Sequence, residues 1–253
     1  MLISKHKKEK KSSNVVQEFS RFAHQYDTYN VIQAQVAKKL VFALKEKQYN
    51  TVLDLGCGSG EVFKNFKTQH IACESFVALD SAASMLERHP LSQEVQTVCA
   101  DFNQKNFLDA LTLKHFDLLI SASALQWSED LDFTLGQVSK LSETFYGSFF
   151  TSGTFKTLHQ TASIHSPIYT AEKIKESITK HYRLKKIEIQ HYRLEFESTR
   201  EMFKYIKQSG VSAGERKLSY KQTKKLMESY PLKYLEFEVL FVEAQSLWAK
   251  GKD

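Results

Sequence analysis

The run Val52-Leu53-Asp54-Leu55-Gly56-Cys57-Gly58-Ser59-Gly60 joins an apolar strand pattern to three glycines at alternate positions, with the carboxylate of Asp54 beside them. Glycine has no Cβ, so such a turn can bend tightly and let a ligand approach the backbone. The next residues, 61–66, can begin a helix whose N-terminus opens on the same crevice. About 20 residues further on, the apolar stretch 75–79 ends in Asp80. That spacing is expected of an acid accepting hydrogen bonds from a ribose diol in a βαβ nucleotide fold.

The charge of the turn narrows the ligand. A dinucleotide fingerprint places its third glycine three residues after the second, where the helix packs on the strand. Here that place holds Glu61, and the third glycine, Gly60, comes one residue early. Two carboxylates beside the loop, Asp54 and Glu61, oppose a phosphate and favour a cation. S-adenosylmethionine carries an ammonium and a sulfonium and no phosphate. An acid followed by Gly-x-Gly-x-Gly resembles the first motif of class I methyltransferases that use this donor. A bare strand–helix turn is the simplest alternative reading of the same residues.

These residues need a frame to bring them together. Residues 31–44 carry apolar side chains at helical spacing. Strand patterns follow at 51–55, 76–80, 97–100, 116–122 and 145–152, with helices at 84–88 and 131–141 between them. Repeated βα units predict a mostly parallel sheet with helices on both faces. The ligand is then expected outside the carboxyl ends of the strands, where Asp54, Asp80 with its neighbour Ser81, Asp101 and Ser121 converge. Asp101 can accept from an adenine amino group, Phe102 can cover the ring, and Met85 can cover its other face. A turn aspartate and a core methionine are the plain alternatives.

Beyond residue 155 the alternation weakens. A helix is predicted at 170–180 and an alternating strand at 184–197. A second helix is expected at 199–208 with Thr199 as N-cap, a third at 220–229, and a last strand at 234–244. The seven strands define an α/β, Rossmann-like sheet, and residues 198–230 form a helical insertion placed to cover the crevice as a lid. Residues 1–13 read as a basic disordered tail, and 14–253 as one domain.

Composition agrees with a globular chain. Of 253 residues, 42% are hydrophobic and 25% charged, and no apolar run reaches the length of a membrane span. The basic N-terminus leads into no apolar segment, which argues against a secretory signal. Cys57, Cys73 and Cys99 lie far apart, with neither metal spacing nor a disulfide framework, so a reducing cytoplasm and no metal are expected. Charge is uneven: residues 12–169 carry a net −4, whereas residues 170–234 carry a net +8. A basic surface there steers an anionic partner, although a solvated lysine-rich face is the better account of the charge alone.

Four further blocks sharpen the resemblance. Phe19 to Asp27 is similar to the Phe-x-x-x-Ala-x-x-Tyr-Asp entry segment of the malonyl-acyl-carrier-protein O-methyltransferases of biotin synthesis. Leu125-Gln126-Trp127 resembles that family's Gln-Trp motif after the fourth strand. Residues 205–213 resemble its Ile-Lys-x-(Ser/Thr)-Gly segment, and Tyr230-Pro231-Leu232-Lys233-Tyr234 its entry to the last strand. The blocks run in family order from about residue 14 to 244.

The resemblance implies methyl transfer from S-adenosylmethionine to the free carboxylate of malonyl-acyl-carrier protein, or of malonyl-CoA. It implies an acidic carrier protein bearing malonyl-phosphopantetheine as partner, with no membrane. Gln126 or Trp127 would hold the substrate carboxylate, Lys207 would pair with it or with the phosphopantetheine, and Tyr26 would close over the donor. Each has a structural alternative: a core ring for Trp127, a surface cation for Lys207, helix packing for Tyr26. The segment 165–169 lacks an arginine that some members carry near there. A quinone-precursor methyltransferase would share every donor motif, and a cofactor-binding module without turnover is also conceivable. A nucleic-acid methyltransferase, suggested by the pI near 9.0, would lack an Asn/Asp-Pro-Pro-Tyr motif and a stacking platform here.

Overall fold

The computed structural model describes residues 29–208 and 218–248, with the side chains of residues 207 and 208 outside the description. Seven strands form one sheet in the order β3-β2-β1-β4-β5-β7-β6. They span β1 (Gln48–Leu55), β2 (Ala72–Asp80), β3 (Val95–Cys99), β4 (Leu118–Ala122), β5 (Thr144–Phe150), β6 (Tyr182–Glu195) and β7 (Tyr234–Ser246). The first five run parallel, and β7 is antiparallel to both β5 and β6. Chain direction across the sheet reverses between β1 and β4, so a crevice opens outside their carboxyl ends.

The helices are α1 (Val31–Phe42), α2 (Glu61–Thr68), α3 (Ala83–Leu86), α4 (Leu131–Val138), α5 (Lys156–Thr161), α6 (Ala171–Thr179), α7 (Thr199–Gln208) and α8 (Tyr220–Ser229). Strand side chains alternate between faces. Val52 joins Val36, Leu40 and Phe66 in the core under α1 and α2, whereas Leu53 and Leu55 join Leu135, Ile174 and Ile178 on the opposite face. Asp54 shares its face with Val52 and therefore points toward the α1 side.

Most sequence-expected elements are present, with shifted ends. The fourth strand starts at Leu118, because Phe116 makes only an isolated bridge to Ser142. Helix α4 ends at Val138, three residues early. Helix α5 and two short 3-10 turns, Phe107–Ala110 and Leu125–Trp127, were not anticipated. Thr199 is not the N-cap of α7: the Ser198 hydroxyl accepts from the Glu201 N–H at 3.2 Å, and the Ser198 carbonyl accepts from Met202. Ser219 caps α8 through a reciprocal capping box with Gln222. Helices α7 and α8 therefore do lie between β6 and β7. Met202 and Tyr205 of α7 pack into the α1-side core, where Tyr205 meets Tyr29 edge-on with ring centroids 6.1 Å apart.

Candidate active site

The glycine turn is built on β2. Gly56 N–H and Cys57 N–H both donate to the Leu79 carbonyl, at 2.8 and 3.0 Å. This folds the chain leaving β1 over the end of its neighbour. Gly56 and Gly60 adopt left-handed backbone, φ +76° and +86°, which disfavours any residue with a Cβ. A Cβ on Gly56 would lie 2.2 Å from that of Ala124, and one on Gly60 would lie 2.6 Å from Pro90 Cδ. The turn thus touches the loop after β4 on one side and the end of α3 on the other.

Asp80 braces this turn. Its carboxylate accepts from Gly58 N–H and from Ala82 N–H, both at 2.9 Å. Burial holds its carboxyl above the usual carboxylate range despite those donors. Asp54 is fully buried, and neither of its oxygens has a hydrogen-bond partner. Burial first, and the nearby Asp80 charge second, push its carboxyl well above the ordinary value. Burial, then Asp80, likewise raise the Cys57 thiol.

These groups line a crevice whose empty space, counted with the open solvent at its mouth, is about 890 Å³. Gln33 and Ala37 of α1 form one wall. Asp54, Gly56 and Gly58 form the floor, with Asp80, Ser81 and Met85 beyond, and Asp101 and Phe102 from the loop after β3. Ser123 and Trp127 close the side after β4. The structure therefore brings together the sequence-expected Asp54, Gly56, Gly58, Asp80, Ser81, Met85, Asp101, Phe102 and Trp127. Asp101 accepts from Asn103 N–H at 2.9 Å, which shapes the loop carrying Phe102.

Three sequence expectations are corrected. The Ser121 hydroxyl donates to the Leu55 carbonyl at 2.7 Å, so it ties β4 to β1 and does not face the crevice. The Gln126 amide donates to the Ser123 carbonyl at 2.7 Å, and the residue is buried outside the crevice lining. It braces a loop and is not aimed at an acceptor carboxylate. Gly60 sits at the N-cap of α2 and shapes the turn from behind, against His89 and Pro90. Tyr26 lies outside the described residues. Lys207 is within α7, and its side chain lies outside the description.

Gln33 and Ser123 are among the crevice residues that the sequence reading did not single out. Gln33 is buried with its amide oxygen unpartnered. The signal was available, because Gln33 shares the inward stripe of α1 with Ala37, Leu40 and Val41. Ser123 adopts left-handed backbone, φ +59°, and its buried hydroxyl has no partner. Nothing in residue type announced that conformation. Among the described residues, no group of three or more His, Cys, Asp or Glu side chains is placed to hold a metal ion.

The unpartnered atoms test the fit to a donor. The crevice offers a carboxylate and an amide oxygen with no donors of their own, beside a second, partly buried carboxylate, Asp80. Such a cavity suits a ligand that brings N–H groups and positive charge. The glycines of the turn, which carry no side chains, leave room for a nucleoside alongside. The residues present fit S-adenosylmethionine.

The strand order, the antiparallel β7 and this crevice define the class I methyltransferase fold. Residues 53–143 match a family model described as a methyltransferase domain. Solved structures agree at the level of fold: a methyltransferase from Bacillus halodurans is 13% identical, with a TM-score of 0.59 over 83% of this chain and 97% of its own. A SAM-dependent methyltransferase from Thermotoga maritima is 12% identical, with a TM-score of 0.53 over 91% and 99%.

More particularly, the chain resembles curated proteins named malonyl-[acyl-carrier protein] O-methyltransferase. That of Pseudescherichia vulneris is 33% identical over 146 residues, covering 56% of this chain and 55% of the relative. That of Halorhodospira halophila is 30% identical over 148 residues, covering 56% and 48%. The chain spans about half the length of these two relatives. The Neorickettsia risticii protein of the same name is 23% identical over 240 residues, covering 90% and 94%.

Proposed function

We propose that this chain is an S-adenosylmethionine-dependent O-methyltransferase that esterifies the free carboxylate of a malonyl thioester carried on an acyl carrier protein. The product would prime the synthesis of the pimeloyl chain of biotin. The observation that carries the reading is the unpartnered, fully buried Asp54 carboxylate on the floor of the glycine-turn crevice. The names and spread of the similar proteins support the acceptor.

When bound, the donor supplies a sulfonium-linked methyl group to an in-line carboxylate oxygen. Asp80 would hold the ribose diol, and Asp101 with Phe102 the adenine, while Met85 covers the opposite side. A malonyl carboxylate is ionised at neutral pH, so the chain needs no general base. Its work is orientation and exclusion of water, which can supply most of the rate. Trp127 faces the crevice and would bound the acceptor side. Tyr26 would close over the amino-acid end of the donor. Helices α7 and α8 would act as a lid, with Lys207 pairing the acceptor carboxylate or the phosphopantetheine.

The net +8 over residues 170–234 would dock an acidic carrier in a cytoplasmic setting. Among the described residues, no helix is long and apolar enough to cross a membrane. The test is mass spectrometry of malonyl-carrier protein after incubation with the chain and the donor. One added methyl group, absent when acetyl-carrier protein is used, supports the reading. Transfer to a quinone precursor or to tRNA instead overturns it.

A further inference from the structure

The hydrogen-bond inventory of the crevice identifies a residue that no donor motif contains. The acceptor atoms buried there without partners include Oδ1 and Oδ2 of Asp54 and Oε1 of Gln33, beside the Ser123 hydroxyl. Asp54 is fully buried and Gln33 is 8% exposed, so water replaces the missing donors poorly at either. A buried acceptor left unpaired costs free energy unless a ligand completes it. Both residues line the same crevice, Asp54 from the end of β1 and Gln33 from the inward stripe of α1. Alternation along β1 points Asp54 to the face that α1 covers.

An alkylammonium has three N–H donors and one positive charge. Asp54 and Gln33 offer it acceptors that have no donors of their own, and the carboxylate matches its charge. A hydroxyl or a neutral amide brings fewer donors, and a phosphate brings none at this charge state. We propose that Gln33 is a positioning residue that, with Asp54, seats the α-ammonium of the donor's amino-acid end. The assignment rests on the reading of the crevice as a donor site. Gln33 thereby fixes the chain that carries the sulfonium and helps to aim its methyl group. It also selects donors with an amino-acid end over plain nucleosides. Ala37 lies one helical turn from Gln33 on the same stripe, and its small side chain leaves that seat open.

The test is calorimetry on the full chain with two ligands. S-adenosylhomocysteine carries the α-ammonium, and 5′-methylthioadenosine keeps the nucleoside and lacks it. Gln33→Met preserves side-chain shape and removes the acceptor. It is expected to raise the Kd for S-adenosylhomocysteine by about tenfold or more, the scale of one hydrogen bond to a charged group. The Kd for 5′-methylthioadenosine should stay within a factor of about two. Gln33→Glu keeps an acceptor at the same reach and adds charge, so it should bind S-adenosylhomocysteine at least as tightly as the natural chain.

Equal weakening of both ligands by Gln33→Met overturns the proposal and makes Gln33 a packing residue. Weakening by Gln33→Glu overturns it too, and this variant decides the matter if Gln33→Met fails to fold. A natural chain that binds neither ligand overturns the donor-site reading itself. Tight binding of both ligands with no effect of either variant overturns only the role of Gln33.

Discussion

Asp54 and Asp80 end neighbouring parallel strands, and they differ in what the chain gives them. Asp80 receives two backbone N–H groups, whereas Asp54 receives no hydrogen bond at either oxygen. The register pairs Leu55 with Leu79, so Asp80 lies one step beyond the end of β1, level with the turn. Asp54 lies one step before it, inside the sheet, with Ala78 on one side and Ile120 on the other. One carboxylate therefore shapes the turn, whereas the other lines the crevice without a hydrogen bond of its own.

This difference predicts a stability cost that serves binding. Burial raises the folded Asp54 carboxyl above its unfolded value. Folding is then favoured most when the group is protonated, below the unfolded pKa, and that advantage is lost as pH rises through the folded pKa. Asp54→Asn should stabilise the ligand-free chain near neutral pH by about 1–3 kcal/mol. The gap should shrink as pH falls into the ordinary carboxylate range. The same variant should weaken S-adenosylhomocysteine binding about tenfold or more. Thermal melts from pH 4 to 8, with calorimetry, measure both; a variant less stable than the natural chain at pH 8 contradicts the argument.

The three glycines should not be equivalent. Gly56→Ala and Gly60→Ala combine left-handed backbone with a Cβ 2.2 Å and 2.6 Å from its nearest atom. Each should cost roughly 2–5 kcal/mol from strain plus overpacking. Gly58→Ala meets only Met85 Cε, at 3.4 Å, the flexible end of a side chain. It should cost about 1–2 kcal/mol from backbone strain. Urea midpoints give the ranking, and a Gly58 variant as damaged as the other two would refute it.

Gln126 should behave as a brace. Its amide satisfies the carbonyl of Ser123, a residue held in left-handed backbone at the crevice edge. Gln126→Ala should lower stability by about 1–2 kcal/mol through that lost hydrogen bond. Urea denaturation measures the loss. Unchanged stability combined with a raised KM for the malonyl thioester would return Gln126 to the acceptor site.

Charge reversal on α8 addresses the partner. Lys224 and Lys225 are exposed. Lys224→Glu/Lys225→Glu should raise KM for malonyl-carrier protein several-fold, on the order of 1 kcal/mol, and fade as salt is added. Malonyl-CoA, with no acidic protein attached, should be affected much less. Steady-state kinetics on both substrates decides it, and equal effects would count against docking on α8.

The sequence showed the donor side of the site and misread its support. Asp54, the glycines and Asp80 were legible because strand period, turn chemistry and spacing are local properties, read over a few residues. Ser121 was misassigned because its partner, Leu55, becomes a neighbour only once β4 joins β1, and Gln126 because it bonds locally to Ser123, whose left-handed backbone no residue type announced. Gln33 lay in plain view on the apolar stripe of α1, a polar residue where the period asks for an apolar one. Helix α5 carries only six residues, too few for a periodic signal.

The closeness of Gly56 to Ala124 links two loops that belong to different strands. The backbone of the glycine turn and the segment that leads to Trp127 lie against each other with only the Ala124 methyl between them. Enlarging position 124 would displace the glycine turn, just as enlarging position 56 would displace the segment at Ala124. The two loops therefore share one seam, and neither position can be enlarged unless the other gives way.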